Sequence, residues 1–362
     1  MLDALKLTVY LGERDRAGQG LLADALIDVY ERHGVKASAL LRGVEGFGAG
    51  HRLHTERLLT LSEDLPVVSV AVDSRERVEG LLEEVREICR HGLISLERAR
   101  LLTDPSTVVE LPEDGRAVKL TVYVGRQERA MGRPAHLAVV DLLHRHGVAG
   151  ATVLLGVDGT AHGVRQRGRF FARNAQVPLM IISVGAGHSI AAALPELLAI
   201  LSRPLLTLEQ VEVCKRDGAL LASPDAVAQQ DETGLAYWQK LTLFAAEQAR
   251  HEGQPLHSAL IGRLRREGAA GATALRGLWG YHGEHRPHGE RLWSIGRHVP
   301  VVTVLLDTPA NARRWFAVID EMTAQTGLVT SEMVPAVRAS GPGIACGPLT
   351  LAEPLRRRPS AE

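Results

Sequence analysis

Glycine, arginine and histidine crowd one stretch of the chain, Gly46-Phe-Gly-Ala-Gly-His51-Arg52-Leu-His54-Thr-Glu-Arg57. A later stretch repeats it as Gly280-Tyr-His-Gly-Glu-His285-Arg286-Pro-His288-Gly-Glu-Arg291, with both histidines and both arginines in register. Between them a third stretch keeps only the arginines, Arg165 and, after a one-residue deletion, Arg169. A guanidinium is always charged and grips phosphate or carboxylate oxygens in a bidentate fork, while glycine lets backbone N–H groups approach an anion closely. The pattern predicts an anion or nucleotide site at the base of a loop. Its ligand-binding candidates are Arg42, Gly43, Glu45, Gly46, Phe47, Gly48, Arg52 and Arg57, then Gly156, Arg165 and Arg169, then Arg276, Gly277, Gly280, Arg286 and Arg291. The alternative is that the glycines only make turns and the arginines are solvated or paired with nearby acids.

His51, His54, His282, His285 and His288 offer imidazoles to a transition metal, which gives a metal-dependent hydrolase as one alternative function. Against it, the middle stretch has no matching histidines, no cysteine stands nearby, and an HxxH in a loop lacks the i,i+4 helical presentation of an HExxH site. The pairs His51/Glu56 and His285/Glu290 could exchange protons, but a mobile loop is a poor platform for that work. No GxSxG elbow, P-loop or CxxC is present, and no histidine or carboxylate pair recurs at fixed spacing in every copy. The chain is therefore expected not to be an enzyme. Arg16-Ala-Gly18-Gln-Gly20, Arg129-Ala-Met-Gly132-Arg133-Pro134 and His251-Glu-Gly253-Gln-Pro255 each lead into a helix, where free N–H groups favour an anion or a simple capping turn forms.

The elements that must position these residues are set by an internal repeat. Leu5-Lys-Leu-Thr-Val-Tyr-Leu-Gly12 recurs as Val118-Lys-Leu-Thr-Val-Tyr-Val-Gly125 and as Gln239-Lys-Leu-Thr-Leu-Phe-Ala245. His33-Gly34-Val35 recurs as His146-Gly147-Val148 and Glu267-Gly268-Ala269, followed at constant distance by Gly43, Gly156 and Gly277, then Gly46, Gly159 and Gly280. Pro66, Pro178 and Pro300 each open a β-branched run, and the copies close on Leu93-Ile-Ser-Leu-Glu97, Leu205-Leu-Thr-Leu-Glu209 and Leu328-Val-Thr-Ser-Glu332. In the first copy, residues 5–11 alternate as a strand and 18–33 carry a helical stripe stopped by Gly34. Strands at 35–42 and 66–72 flank a long loop at 44–63, a second helix runs over 75–90, and a last strand over 93–97. The order is β-α-β-β-α-β, which predicts an α+β, ferredoxin-like unit with both helices on one sheet face. The repeats occupy 1–102, 117–214 and 237–338, with linkers at 103–116 and 215–236 and a flexible tail at 339–362.

The run Leu41-Arg-Gly-Val-Glu-Gly-Phe-Gly48, the His51/His54 pair and Leu61-Ser-Glu-Asp-Leu-Pro-Val67 resemble the bacterial domain-of-unknown-function family numbered one-ninety. That family is similar in fold to the PII (GlnB-like) signalling proteins. The resemblance implies three tandem PII-like domains packed as a pseudo-trimer within one monomeric chain. It further implies an intracellular sensor that binds a small anionic ligand, an adenine nucleotide, in clefts between repeats and touches a partner through its long loops. Gly92 and Gly327 sit where PII-like proteins complete the nucleotide cleft, and Pro204 replaces them in the second repeat. Family members are often encoded beside fluoride-channel proteins, so a second alternative is a ligand-free scaffold or accessory protein of a membrane channel or transporter.

Composition narrows the partners. Forty-two basic residues balance 42 acidic ones in 362, so no global field attracts nucleic acid. The three cysteines are scattered, as reduced thiols in a cytosol are. The N-terminal run has neither the basic start nor the apolar core of a secretory signal, and the most apolar stretch, 177–201, is broken by glycine, proline and glutamate. A cytoplasmic location is expected.

Overall fold

A computed structural model describes residues 2–48, 54–55, 64–107, 109, 111, 116–166, 177–224, 229–282, 287–289, 299–324, 326–341 and 344–353. Residues 51–53, 56–63, 167–176, 283–286 and 290–298, which hold much of the three loops, lie outside that set.

In the first repeat, strand β1 (Leu2–Gly12) leads to helix α1 (Leu22–Arg32), then β2 (Ala37–Arg42), β3 (Glu45–Phe47), β4 (Pro66–Ser74), α2 (Arg75–Ile88) and β5 (Gly92–Leu102). The second runs β6 (Ala117–Gly125), α3 (Ala135–Arg145), β7 (Gly150–Ala161), β8 (Pro178–Ala186), α4 (Gly187–Ile200) and β9 (Leu206–Arg216). The third runs β10 (Trp238–Ala246), α5 (Leu256–Arg266), β11 (Ala272–Arg276), β12 (Trp279–His282), β13 (Pro300–Asp307), α6 (Pro309–Met322), β14 (Leu328–Val334) and β15 (Ala336–Gly341). Gly34, Gly147 and Gly268 follow the first helix of each repeat at φ of 61°, 67° and 90°, the left-handed conformation that ends a helix and that glycine adopts without strain.

These elements do not form the three tandem ferredoxin-like domains of a PII-like pseudo-trimer that the sequence predicts. Hydrogen bonding continues past the edge of each repeat, and twenty strands join into one sheet system carrying six α-helices among the described residues. β1 pairs with β4, β4 with β2, β2 with β7, β7 with β8, β8 with β6, β6 with β9, β9 with β5, and β5 with β1 again. This is a closed, wholly antiparallel eight-stranded barrel built from two repeats. The third repeat joins both of the others: β12 pairs with β7, β3 with β11, β14 with β9 and β15 with β5. The physical reason is the cost of an edge: a strand left unpaired exposes a row of N–H and C=O groups, and cross-repeat pairing removes it.

The segments read as the starts of long loops are the strands that make these seams. β3, the end of β7 and β12 each cross to the second strand of another repeat. Glycine broke their alternation in the sequence, and glycine is required there because of what crosses. A Cβ on Gly159 would lie 2.2 Å from the Ser38 carbonyl oxygen, one on Gly280 2.3 Å from that of Ala151, and one on Gly46 2.7 Å from that of Ala272. The tail boundary also moves: β15 spans residue 339, and the chain stays packed to residue 353, with Ala352 donating its N–H to Pro335 O at 2.8 Å and Leu349 buried.

Strand alternation sorts the side chains. In β1, Leu5, Leu7 and Val9 face α1 and α2 in a core with Leu26, Ile27, Val78, Leu81 and Val85. Equivalent cores form in the other two repeats. The opposite sheet faces meet in a fourth core fed by all three repeats, with Val70, Tyr123, Leu154, Met180, Phe244 and Val302. Each leucine fully buried in this way contributes about 1.5–3 kcal/mol. The residues between the apolar ones on this inner face, Lys6, Thr8, Lys119, Thr121, Lys240 and Thr242, are buried too.

Candidate functional site

Six charged side chains meet where the inner strand faces of the three repeats come together. Lys6 lies across from Glu97 in the β1–β5 register, Lys119 across from Glu209 in β6–β9, and Lys240 across from Glu332 in β10–β14. Within each repeat the pair is separated by 3.0 or 3.1 Å. Between repeats the contacts are closer still: Lys6 donates to Glu209, Lys119 to Glu332 and Lys240 to Glu97. The result is a closed ring of alternating charge, one lysine and one glutamate per repeat, with all six residues no more than 8% exposed.

Every bond of the ring uses the Oε2 oxygen of a glutamate. Oε1 of Glu97 and Oε1 of Glu209 are buried without a hydrogen-bond partner. Burial pushes Glu97 toward protonation, but Lys240, Lys6 and Lys119 overcome it and hold the carboxyl well below the usual range. Glu332 is held low by the same balance. Burial likewise opposes the charge on Lys6 and Lys240, and the carboxylates win, holding both ammonium groups above their ordinary value. At Lys119 burial draws the proton affinity down against the pull of Glu209 and Glu332. Two residues along the same strand faces, Thr8, Ser95, Thr121, Thr207, Thr242 and Thr330 form a buried hydroxyl layer, and the oxygens of Ser95 and Thr330 have no hydrogen-bond partner among the described residues.

None of these residues was singled out from the sequence, although the signal is there. Lysine recurs at the second position of Leu-Lys-Leu-Thr, Val-Lys-Leu-Thr and Gln-Lys-Leu-Thr, and each copy's final strand carries one glutamate at the same place. A charged residue kept at one register of an otherwise apolar strand in all three copies is buried and paired.

Among the described residues, the ligand-binding candidates are distributed over three seams. Gly43, Gly156 and Gly277 pack against Pro66, Pro178 and Pro300, where a Cβ would come within 2.7, 2.9 and 2.8 Å of a proline ring carbon. Phe47 leaves its own repeat and is buried in the helix-side core of the third, so its side chain is a packing anchor. Glu45 is buried beside it and accepts a hydrogen bond from Ser258 of α5. Gly48 is exposed, and Gly92 opens β5 at φ 111°, where a Cβ would lie 2.7 Å from the Tyr10 carbonyl oxygen.

Arg165 is held by carboxylates on both sides of a seam. Its Nη2 lies 2.7 Å from buried Asp158, and its Nη1 contacts Asp28 of α1 in the first repeat, with Asp24 and Glu31 within 4 Å. The hydrogen bonds it donates to Asp158, together with the charges around it, raise its proton affinity further. The side chain is a clamp between repeats. Arg42 pairs with Glu13 at 3.0 Å and Arg276 with Glu247 at 2.8 Å, each fastening a loop base to the end of the first strand of its repeat. Arg52, Arg57, Arg169, Arg286, Arg291, His51 and His285 lie outside the described residues. The backbones of His54, His282 and His288 are in strand, His54 opposite Gly46 and His288 opposite Gly280.

A second group of cations surrounds the start of α5. His257, half-buried in its first turn, is pushed down to about 4 by burial and then by Arg276 and Arg250. At the start of α3, His136 is lowered by burial and by Arg126, and its Nδ1 is buried without a partner. Neither helix has a side-chain cap. At the seam between the second and third repeats lies a cavity of about 20 Å³, lined by Ile182, Val184, Phe244, Tyr281 and Leu328 among others, with no charged side chain in its lining. A space of that size holds about one water molecule. Among the described residues, no helix is long and apolar enough to cross a membrane.

A chain whose inner strand faces carry one retained Lys–Glu pair per copy, and whose copies pair edge to edge, is a tandem-repeat protein of one family read three times. The chain belongs to the DUF190 family, described as "Uncharacterized ACR", whose model matches residues 4–101, 117–213 and 238–336. It is similar to a UPF0166 protein of Aquifex aeolicus, 37% identical over 68 residues, or 19% of this chain and 71% of that one. A second Aquifex aeolicus UPF0166 protein is 28% identical over 27% of this chain and 90% of its own length. A Methanocaldococcus jannaschii UPF0166 protein is 27% identical over 26% and 87%. Each relative therefore corresponds to about one repeat. The crystal structure of an anthrone oxidase-like protein aligns with 68% of this chain and 99% of its own at a TM-score of 0.20 and 14% identity, which carries no argument.

Proposed function

We propose that this protein is a non-catalytic regulatory module that binds a small anionic ligand at the bases of its long loops and contacts a partner through the loops themselves. The observation that supports this reading is the grouping of Arg276, Arg250 and His257 around the uncapped start of α5. An anion placed there meets the guanidinium of Arg250, that of Arg276, which also pairs with Glu247, and the positive end of a helix whose Leu256 N–H is already given to Ala249 O, and its charge raises the proton affinity of His257. The second repeat offers a weaker version with Arg126 and His136. The first has neither histidine at that position, since Ala23 follows the first residue of α1. The ligand reading is thus a site in the third repeat, with a phosphate-bearing molecule such as an adenine nucleotide as the first class to try.

Isothermal titration with ATP, ADP, AMP and inorganic phosphate tests it. Saturable binding that weakens at least tenfold in Arg276→Ala and Arg250→Ala, and that takes up protons near pH 5, supports the site. Absence of binding by any of these anions favours a ligand-free scaffold whose loops engage a membrane channel or transporter.

A further inference from the structure

The carboxylate beside Arg276 limits which anions fit at the start of α5, an inference that rests on the loop-base anion site above. Glu247 holds Arg276 through Oε1 at 2.8 Å, and its Oε2 is buried without a hydrogen-bond partner among the described residues. Arg250 joins the group by donating from Nη1 to the Glu247 carbonyl at 3.2 Å. His257, pushed down to about 4 by burial and by these two cations, keeps a neutral ring at physiological pH, so one ring nitrogen donates and the other accepts. Two guanidinium groups against one carboxylate leave the cluster with positive charge in excess.

An ionised carboxylate oxygen can only accept, and a buried one with no donor is costly. An anion without a proton sets its own oxygens against Glu247 Oε2, acceptor facing acceptor. An oxyanion that still carries a proton reverses the sign of that contact: its O–H donates to the carboxylate while its other oxygens accept from the guanidinium groups. We infer that the third-repeat site selects a protonated tetrahedral oxyanion, the hydrogen phosphate or phosphomonoester class, against sulfate. A phosphomonoester loses its last proton at a pH of about 6, so the protonated form is available near neutrality. Sulfate has no such form there, and it would leave Glu247 Oε2 unpaired. The other repeats lack the full set. The first has the Arg42–Glu13 pair in a more exposed setting with Ala23 in place of the histidine, and the second has Arg126 in place of Glu247.

Titration calorimetry of the full chain with sodium phosphate and sodium sulfate at about pH 6 and equal ionic strength tests the selectivity. Phosphate is expected to bind roughly tenfold more tightly or better, and Glu247→Gln, whose amide can donate to sulfate, to shrink the ratio to about twofold. Equal binding of the two anions by the wild type overturns the selectivity and leaves the anion site standing; binding of neither overturns both. A ratio unchanged in Glu247→Gln also overturns it, since another group would then read the proton. Should the variant fail to fold, methyl phosphate reads the wild type directly, because at about pH 8 it has lost its proton while inorganic phosphate keeps one. There the inorganic ion should bind roughly tenfold more tightly, and equal binding overturns the proposal. At about pH 5, where both carry a proton, methyl phosphate matching the inorganic ion supports a site for esters, and its exclusion supports one for the free ion.

Discussion

Lys240 in the third repeat donates to Glu97 in the first, 143 residues earlier in the chain. That one contact closes a ring that the other two repeats begin, with Lys6 reaching Glu209 and Lys119 reaching Glu332. Each glutamate serves the lysine of its own repeat and that of another, so no repeat can complete its inner face alone.

Removing one member should therefore cost more than the pair is worth. Glu97→Gln leaves Lys6 and Lys240 short of a counter-charge in a dry interior, and Lys240→Met leaves Glu97 and Glu332 in the same position. Each substitution is expected to lower stability by about 3–5 kcal/mol, and the double change Lys240→Met with Glu97→Leu to cost less than the sum. Urea unfolding of the three variants checks this.

The ring also sets the pH limits of the fold. Glu97 and Glu332 have folded-state proton affinities below those of the unfolded chain, so their stabilisation is present above about pH 4.5 and is lost as the pH falls below it. Lys6 and Lys240 are held above their ordinary value, so their stabilisation is intact below about pH 10 and is lost as the pH rises beyond it. Melting midpoints should form a plateau between those limits, with an acid limb removed by replacing the ring with apolar residues.

Alanine at a seam glycine should open a seam. At Gly159 and Gly280 the new methyl group meets the backbone oxygen of Ser38 or Ala151, which cannot turn aside as a side chain can. A loss of about 2–4 kcal/mol is expected from the forced strand separation. Gly80 in the middle of α2 has no atom within 4 Å of a Cβ, and Gly80→Ala should stabilise by about 0.5–1 kcal/mol. Guanidinium denaturation of the two classes tests the contrast.

Arg165 should matter for stability and not for anion affinity. Arg165→Ala removes the guanidinium that neutralises the buried carboxylate of Asp158 and its tie to Asp28 of α1, at a cost of about 2–4 kcal/mol. Phosphate titration of the folded variant should match the wild type, and a tenfold loss would make Arg165 a ligand contact after all.

Much of this protein is settled by its sequence. The three copies, their helices and the strands at Leu5, Val118 and Gln239 follow from apolar periodicity, because burial of a face needs only local spacing. The family follows from the same repeated motifs. What spacing could not reveal is which edges meet. Gly46 and Gly280 look alike whether they cradle a phosphate or admit a neighbouring backbone, and only the crossing of β3 and β12 brings the Ala272 and Ala151 carbonyls against them. Lys6 and Glu97 were legible as residues and not as partners, since a salt bridge spanning repeats depends on closure of the sheets around a common axis. Arg165 carries the same charge in any context, and only the tertiary structure sets it between Asp158 of its own repeat and Asp28 of α1. Local sequence determines the elements, because propensity and periodicity act over a turn or a pleat; the seams and the ring belong to the tertiary structure, because backbone pairing between repeats and burial of charge are properties of the closed assembly.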